Sequence, residues 1–152
     1  TTANETNAKG HGITLGHDFM FNELISSSTG LGYSISEAKD GTNDFETYDL
    51  NFRLNFALPW VYISLGDALS FNDYKNVDTS INSNRIRSDV TNTFDMMLTK
   101  SIGDIFPAID PNRNLFINLA YEKIISEANI LNYDYIADSF SVSFSKSFHL
   151  NK

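Results

Sequence analysis

The chain has 152 residues, with 11 Lys and Arg against 19 Asp and Glu, a formal net charge of −8 and no cysteine. That balance disfavours nucleic acid and anionic lipid surfaces as partners. The missing thiols exclude a disulfide scaffold, a thiolate zinc site and a cysteine nucleophile.

No apolar run approaches the roughly 20 residues of a transmembrane helix. A membrane protein built of strands stays open, because such strands are short and only half apolar. Thr1–Gly10 is polar, small and aperiodic, with neither the charged start nor the apolar stretch of a signal peptide. It is predicted to be a flexible N-terminal arm or loop, and residues 11–152 one β-barrel segment.

Hydrophobic alternation then divides the chain. Gly12 to Asn22 sets Ile13, Leu15, Phe19 and Phe21 against Thr14, Gly16, Asp18 and Met20, with His17 interrupting the apolar side. Ser26–Gly30 is predicted as a turn, and Leu31, Tyr33 and Ile35 as the apolar side of a second strand. Glu37–Thr47 carries Asp-Gly and Asn-Asp turn chemistry. A third strand alternates Tyr48, Leu50, Phe52, Leu54, Phe56 and Leu58 with Asp49, Asn51, Arg53, Asn55 and Ala57. Pro59-Trp60 makes a tight corner into a fourth, Val61 to Phe71. There Asp67 falls on the apolar side, so a bulge near Gly66-Asp67 is expected.

Asn72–Asp89 is a long polar connection. The fifth strand places Val90, Phe94, Met96, Leu98 and Ile102 opposite Thr91, Thr93, Asp95, Met97, Thr99 and Ser101. After Gly103–Asn114, Leu115, Ile117, Leu119 and Tyr121 oppose Phe116, Asn118, Ala120 and Glu122 in the sixth. Ser126–Asp138 is read as a loop. The last strand, Ser139 to Phe148, has Phe140, Val142, Phe144 and Phe148 on one side and serines at every alternate position on the other.

A polar side so uniformly small suits the crowded inside of a closed barrel better than the hydrated face of a sandwich. The fold class is therefore all-β, an antiparallel transmembrane β-barrel with about seven or eight strands here, either complete or part of a larger barrel. Long polar connections alternate with short ones, as in outer-membrane barrels with long external loops and short periplasmic turns. Trp60, Phe56, Phe106 and Phe148 fall toward the turn end. Tyr48, Phe71, Tyr74, Tyr121, Tyr133 and Tyr135 fall toward the loop end, the two levels where rings meet lipid headgroups. Leu50, Phe52, Leu54, Phe56, Ile117, Leu119, Phe140, Val142 and Phe144 are predicted to face lipid. Asp18, Asp49, Asn51, Arg53, Asn55, Asp95, Asn118 and Glu122 are predicted to line the lumen. Seven strands is an odd number, so further strands or chains completing a larger barrel are expected partners.

The run Tyr121-Glu122-Lys123, then Ser126-Glu127-Ala128-Asn129-Ile130-Leu131-Asn132-Tyr133-Asp134-Tyr135, then Phe140 and Phe148, resembles the final hairpin of large bacterial outer-membrane barrels. The similar families are surface-lipoprotein assembly modifiers and exopolysaccharide-export barrels. The likeness covers about thirty residues closely and is specific to the class of barrel rather than to one family. It implies location in the outer membrane, contact with membrane lipids, and insertion by an assembly machine that reads the last strand. Val142, Phe144 and Phe148 fit that assembly signal.

Acids lining a lumen concentrate cations and repel anions, so a channel or translocation pore for a hydrophilic solute, polymer or protein cargo is expected. The plainer reading is that these groups satisfy one another in a filled interior. Alternatives are a soluble β-barrel binding a small apolar ligand and an outer-membrane enzyme. No cofactor or metal is predicted: His11, His17 and His149 are scattered. His17 and Asp18 point to opposite faces of a strand, which opposes a catalytic dyad. No serine sits in a Gly-x-Ser-x-Gly elbow. Asp40-Gly41-Thr42-Asn43-Asp44 with Glu46 offers calcium-type oxygens without the EF-hand spacing. If the faces are assigned correctly, Leu54→Arg should destabilise the membrane-embedded protein by about 2–4 kcal/mol, and Arg at Asn55 by nearly nothing, in denaturant unfolding from lipid.

Overall fold

The computed structural model describes residues 8–38, 44–77 and 85–147. Alternation produces seven strands: β1 (Ala8–Asn22), β2 (Ile25–Ala38), β3 (Phe45–Leu58), β4 (Val61–Tyr74), β5 (Ser88–Ser101), β6 (Leu115–Ala128) and β7 (Tyr135–Lys146). They form one antiparallel sheet in chain order, each strand paired with its sequence neighbour. The sheet is not closed: β1 pairs with β2 and β7 with β6, leaving two free edges.

Several strands are longer than their apolar pattern suggested. Ala8, Lys9 and Gly10 belong to β1, opposite Ala38, Glu37 and Ser36, so the predicted arm is shorter than Thr1–Gly10. Ser26–Gly30 is not a turn. The β1–β2 corner lies at Glu23-Leu24, where Asn22 Oδ1 accepts from the N–H groups of Leu24 (2.8 Å) and Ile25 (2.9 Å). An asparagine carboxamide that replaces the backbone acceptors fixes this corner better than serine does. The serines instead run on into β2.

At Gly66-Asp67 the expected bulge is absent, because both flanking ladders pass through without a shift. Asp67 stays on the apolar side, where Asn92 Nδ2 donates to its Oδ1 at 2.8 Å and meets the need that a slip would have met. The predicted loop Ser126–Asp138 shrinks to the residues between Ala128 and Tyr135, held by the Ala128 N–H donating to Asp134 Oδ1 at 2.6 Å. Between β5 and β6, Asp110 is 5% exposed and accepts from the N–H groups of Asn114 (3.1 Å) and Leu115 (2.9 Å), launching β6.

Among the described residues no hydrophobic side chain is buried. Most of the large ones lie on one face of the sheet and are open: Leu15 is 66% exposed, Phe140 69% and Phe144 67%. The fully buried side chain is a polar one, Ser64, on the opposite face. That polar face is concave, since Thr14 of β1 borders the same cavity as Thr91 and Thr93 of β5. Burial of apolar area within the chain therefore does not hold this fold together, as it does in a water-soluble domain.

The apolar band also slants across the ladders. From Val142 the register leads through Leu119, Leu98, Ile63, Phe56 and Ile25 to Asn22. The apolar run of β1, Ile13 to Phe21, is centred on His17, displaced toward the loop end. That drift is five positions over six strand spacings, roughly 2.8 Å for each roughly 4.8 Å, a tilt of about 30°. Replacing Asn22 by Ala should lower stability on the order of 1 kcal/mol by leaving two turn N–H groups without a side-chain acceptor, measured as a shift in the urea midpoint.

Candidate functional site

The site is the concave face. One ladder row crosses it through Asp18, Ser28, Arg53, Gly66, Asp95, Glu122 and Ser139. All eight residues predicted for the lumen share this side of the sheet: Asp18, Asp49, Asn51, Arg53, Asn55, Asp95, Asn118 and Glu122. The nine predicted lipid-facing residues share the other side. Leu50, Phe52, Phe140, Val142 and Phe144 are exposed there, and Leu54, Phe56, Ile117 and Leu119 are half-buried by their neighbours.

Arg53 is the centre of the polar network. Its guanidinium crosses β4 and grips Asp95 of β5 through two bonds, Nη1–Oδ2 at 2.8 Å and Nη2–Oδ1 at 2.7 Å. The crossing passes over Gly66, where a Cβ would stand 2.7 Å from Arg53 Nη2 and closer still to Asp95. Any side chain there would displace the pair. Arg53 Nη1 also donates to Ser64 Oγ at 2.9 Å, and Ser64 in turn donates to Asn55 Oδ1 at 2.9 Å. Tyr62 adds its hydroxyl to the same Asn55 oxygen at 2.9 Å. Asn55 is thus a structural acceptor, so Asn51, which also lies on the concave side, is the better polar-side control for an arginine substitution.

Further pairs line the same face: Thr47 with Asn72 at 2.7 Å, Thr91 with Ser126 at 3.1 Å, and Thr99 with Asn118 at 2.9 Å. Asn118 extends to Ser145 of β7 at 3.2 Å. A cavity of about 410 Å³ opens between Arg53, Asp95, Glu122, Ser139 and Ser141. Among the described residues Asp18, Asp49 and Glu122 make no ion pair, so the middle of this face is predominantly acidic around the bound Arg53.

Sequence reasoning missed the loop end of this face. Arg87 lies with its guanidinium 3.4 Å from the Tyr133 ring centroid and 4.6 Å from that of Tyr74, and pairs with Asp89, 4% exposed. Burial opposes the charge on Arg87, but Asp89 together with Tyr74 and Tyr133 outweighs it and holds the guanidinium above its ordinary pKa. The Arg-x-Asp spacing of two was the available signal, since both residues project to one side of an extended chain. Tyr74 therefore turns inward with Phe45, at 5.3 Å between ring centroids, rather than joining the outer aromatic level.

Of the calcium-type loop, residues 40–43 lie outside the described residues. Glu46 is engaged by Lys75 at 3.2 Å, which holds the Lys75 ammonium above its usual pKa. Among the described residues no three His, Asp or Glu groups gather as a metal site. Of the assembly signal, Val142 and Phe144 lie on β7, and Phe148 is outside the described residues. No protein-family model matches the chain, and no curated protein is similar to it. A double-mutant cycle of Arg53→Met and Asp95→Asn should give a coupling on the order of 1 kcal/mol, discounted for its partial exposure to solvent. Repeated on a Gly66→Val background, the coupling should fall toward zero.

Proposed function

We propose that the chain is a segment of a bacterial outer-membrane β-barrel whose polar concave side lines a path for a hydrophilic solute, polymer or protein cargo, with no chemical step of its own. The observation that carries this reading is the inverted distribution of side chains. The large apolar groups are exposed on the convex side, and the polar groups are paired on the concave side. In water such a surface is costly, whereas in hydrocarbon it is the stable arrangement.

The slant of the band supports the same reading. Barrel strands cross a membrane at about 35–45°, close to the drift of the band across the ladders. On that tilt the outward charges sort into rims: Lys123, Asp138 and Glu127 toward the loop end, Lys100 and Lys146 toward the turn end. Asp138 and Lys146 bracket Phe140, Val142 and Phe144 on β7, about 23 Å apart along the membrane normal, near the roughly 25 Å of a barrel's apolar band. At the turn end, Lys100 Nζ donates to the Trp60 carbonyl at 2.7 Å, which keeps a cation and an indole together where interfacial groups belong. Asp67 and His17 remain inside the band as exceptions.

A soluble barrel for a small apolar ligand needs an apolar interior. The concave face is mostly Ser, Thr, Asn, Asp and Gly around Arg53 and Glu122, with apolar groups such as Met97, Phe116 and Ile124 only scattered among them, which disfavours it. The resemblance of the last hairpin to surface-lipoprotein assembly modifier and exopolysaccharide-export barrels favours translocation over passive diffusion. Insertion would then depend on the outer-membrane assembly machinery reading β7.

The protein should stay with carbonate-washed membranes and migrate differently on gels before and after boiling. A soluble, heat-insensitive product would refute the reading. In planar bilayers the path should favour cations, and Asp49→Lys should shift its reversal potential toward anions. An unchanged potential would mean that Asp49 does not line the path, and absence of any conductance would leave the barrel standing without an open one.

A further inference from the structure

The two free edges point the same way. Seven strands that alternate direction leave β1 and β7 parallel to each other, both running from the loop end to the turn end. Direct closure would therefore need a parallel ladder in a sheet whose every ladder is antiparallel. A second copy does not solve this. With both copies crossing a membrane in the same sense, β7 of one meets β1 of the other in parallel as well.

The curvature is that of a small barrel. Thr14 of β1 and Thr93 of β5 border one cavity of about 240 Å³, and Arg53 of β3 shares the larger one with Ser139 and Ser141 of β7. An interior that side chains can nearly span belongs to barrels of about eight strands.

The concave glycines say what is missing at the edge. On inner strands each is covered by a long polar side chain from the next strand. Asn51 lies 2.6 Å from where a Cβ of Gly30 would be, Asp49 3.2 Å from that of Gly32, and Arg53 2.7 Å from that of Gly66. Gly16, on the edge strand β1, has nothing nearer than the Thr29 carbonyl oxygen at 3.7 Å, on its β2 side.

We infer that one further β-strand, antiparallel to both, fills the gap between β7 and β1 and reaches over Gly16 with a long polar side chain, as Arg53 reaches over Gly66. Its convex residues are apolar, continuing the band from Val142 to Leu15. The occupant is a strand of sequence other than β1–β7, not a second copy of them. This rests on the barrel reading and fixes how that barrel closes.

Because the chain has no cysteine, introduced pairs act as rulers. Leu15→Cys with Val142→Cys sits within the apolar band on both edges, and Ile13→Cys with Phe140→Cys one step toward the loop end. Each pair is made in the protein in its own membrane and assayed only in the carbonate-resistant, heat-modifiable fraction. Failure of the barrel reading would then appear as loss of that fraction, not as a cross-linking result. One intervening strand puts the Cα atoms about two strand spacings apart, roughly 10–12 Å. A bis-maleimide of that span should join the pairs, while copper-catalysed oxidation should not, since disulfides need Cα atoms within roughly 7 Å. Rapid disulfide formation would mean direct parallel closure and overturn the inference. No product with either reagent would mean a gap wider than one strand and overturn it equally.

Discussion

The controlling constraint is that a strand sends neighbouring side chains to opposite faces, and this chain places its bulk on the face that the sheet cannot cover. Every described Phe, Leu and Ile remains at least partly open, so the usual driving force of folding, apolar burial inside the chain, is missing. In the membrane setting proposed above, an apolar environment supplies it instead. There the backbone must satisfy its own hydrogen bonds, and a sheet with two free edges is unfinished. Convex chemistry and open edges are two aspects of one requirement.

The concave side explains how a polar interior holds its shape. Small residues let the sheet curl, and the few long side chains act as struts between strands that are not neighbours. Arg53 ties β3 to β5 across a glycine, and its second bond draws in Ser64, the most deeply buried side chain. Among the described residues no buried side-chain nitrogen or oxygen lacks a partner. In a low-dielectric setting that completeness decides whether a polar network stabilises or weakens a fold.

Much of this was legible in the sequence wherever parity was clean. Tyr48 to Phe56 of β3 alternates apolar with polar residues, and Ser139 to Ser145 of β7 small with large ones, so their faces follow directly. Legibility failed where local propensity opposed tertiary pairing. Ser26-Ser27-Ser28 reads as a turn on composition, yet becomes strand because Asn22 had already made the corner. β6 looked short because Ile124 and Ile125 are adjacent and apolar, which blurs a period of two. In the ladder Ile125 keeps the band and Ile124 turns inward opposite Thr93. Asp67 suggested a slip because its partner, Asn92, lies 25 residues away and carries no local signal. The rings around Arg87 were invisible for the same reason: they come from β4 and from the β6–β7 connection.

That last arrangement has a dynamic consequence. A planar cation held between two rings joins the end of β4, the start of β5 and the hairpin before β7 into a single clasp, at the end of the sheet where connections are longest and chain entropy is greatest. The β4–β5 and β6–β7 connections are thus fastened to each other at their base. Parting them at this rim would first require Arg87 to leave both rings.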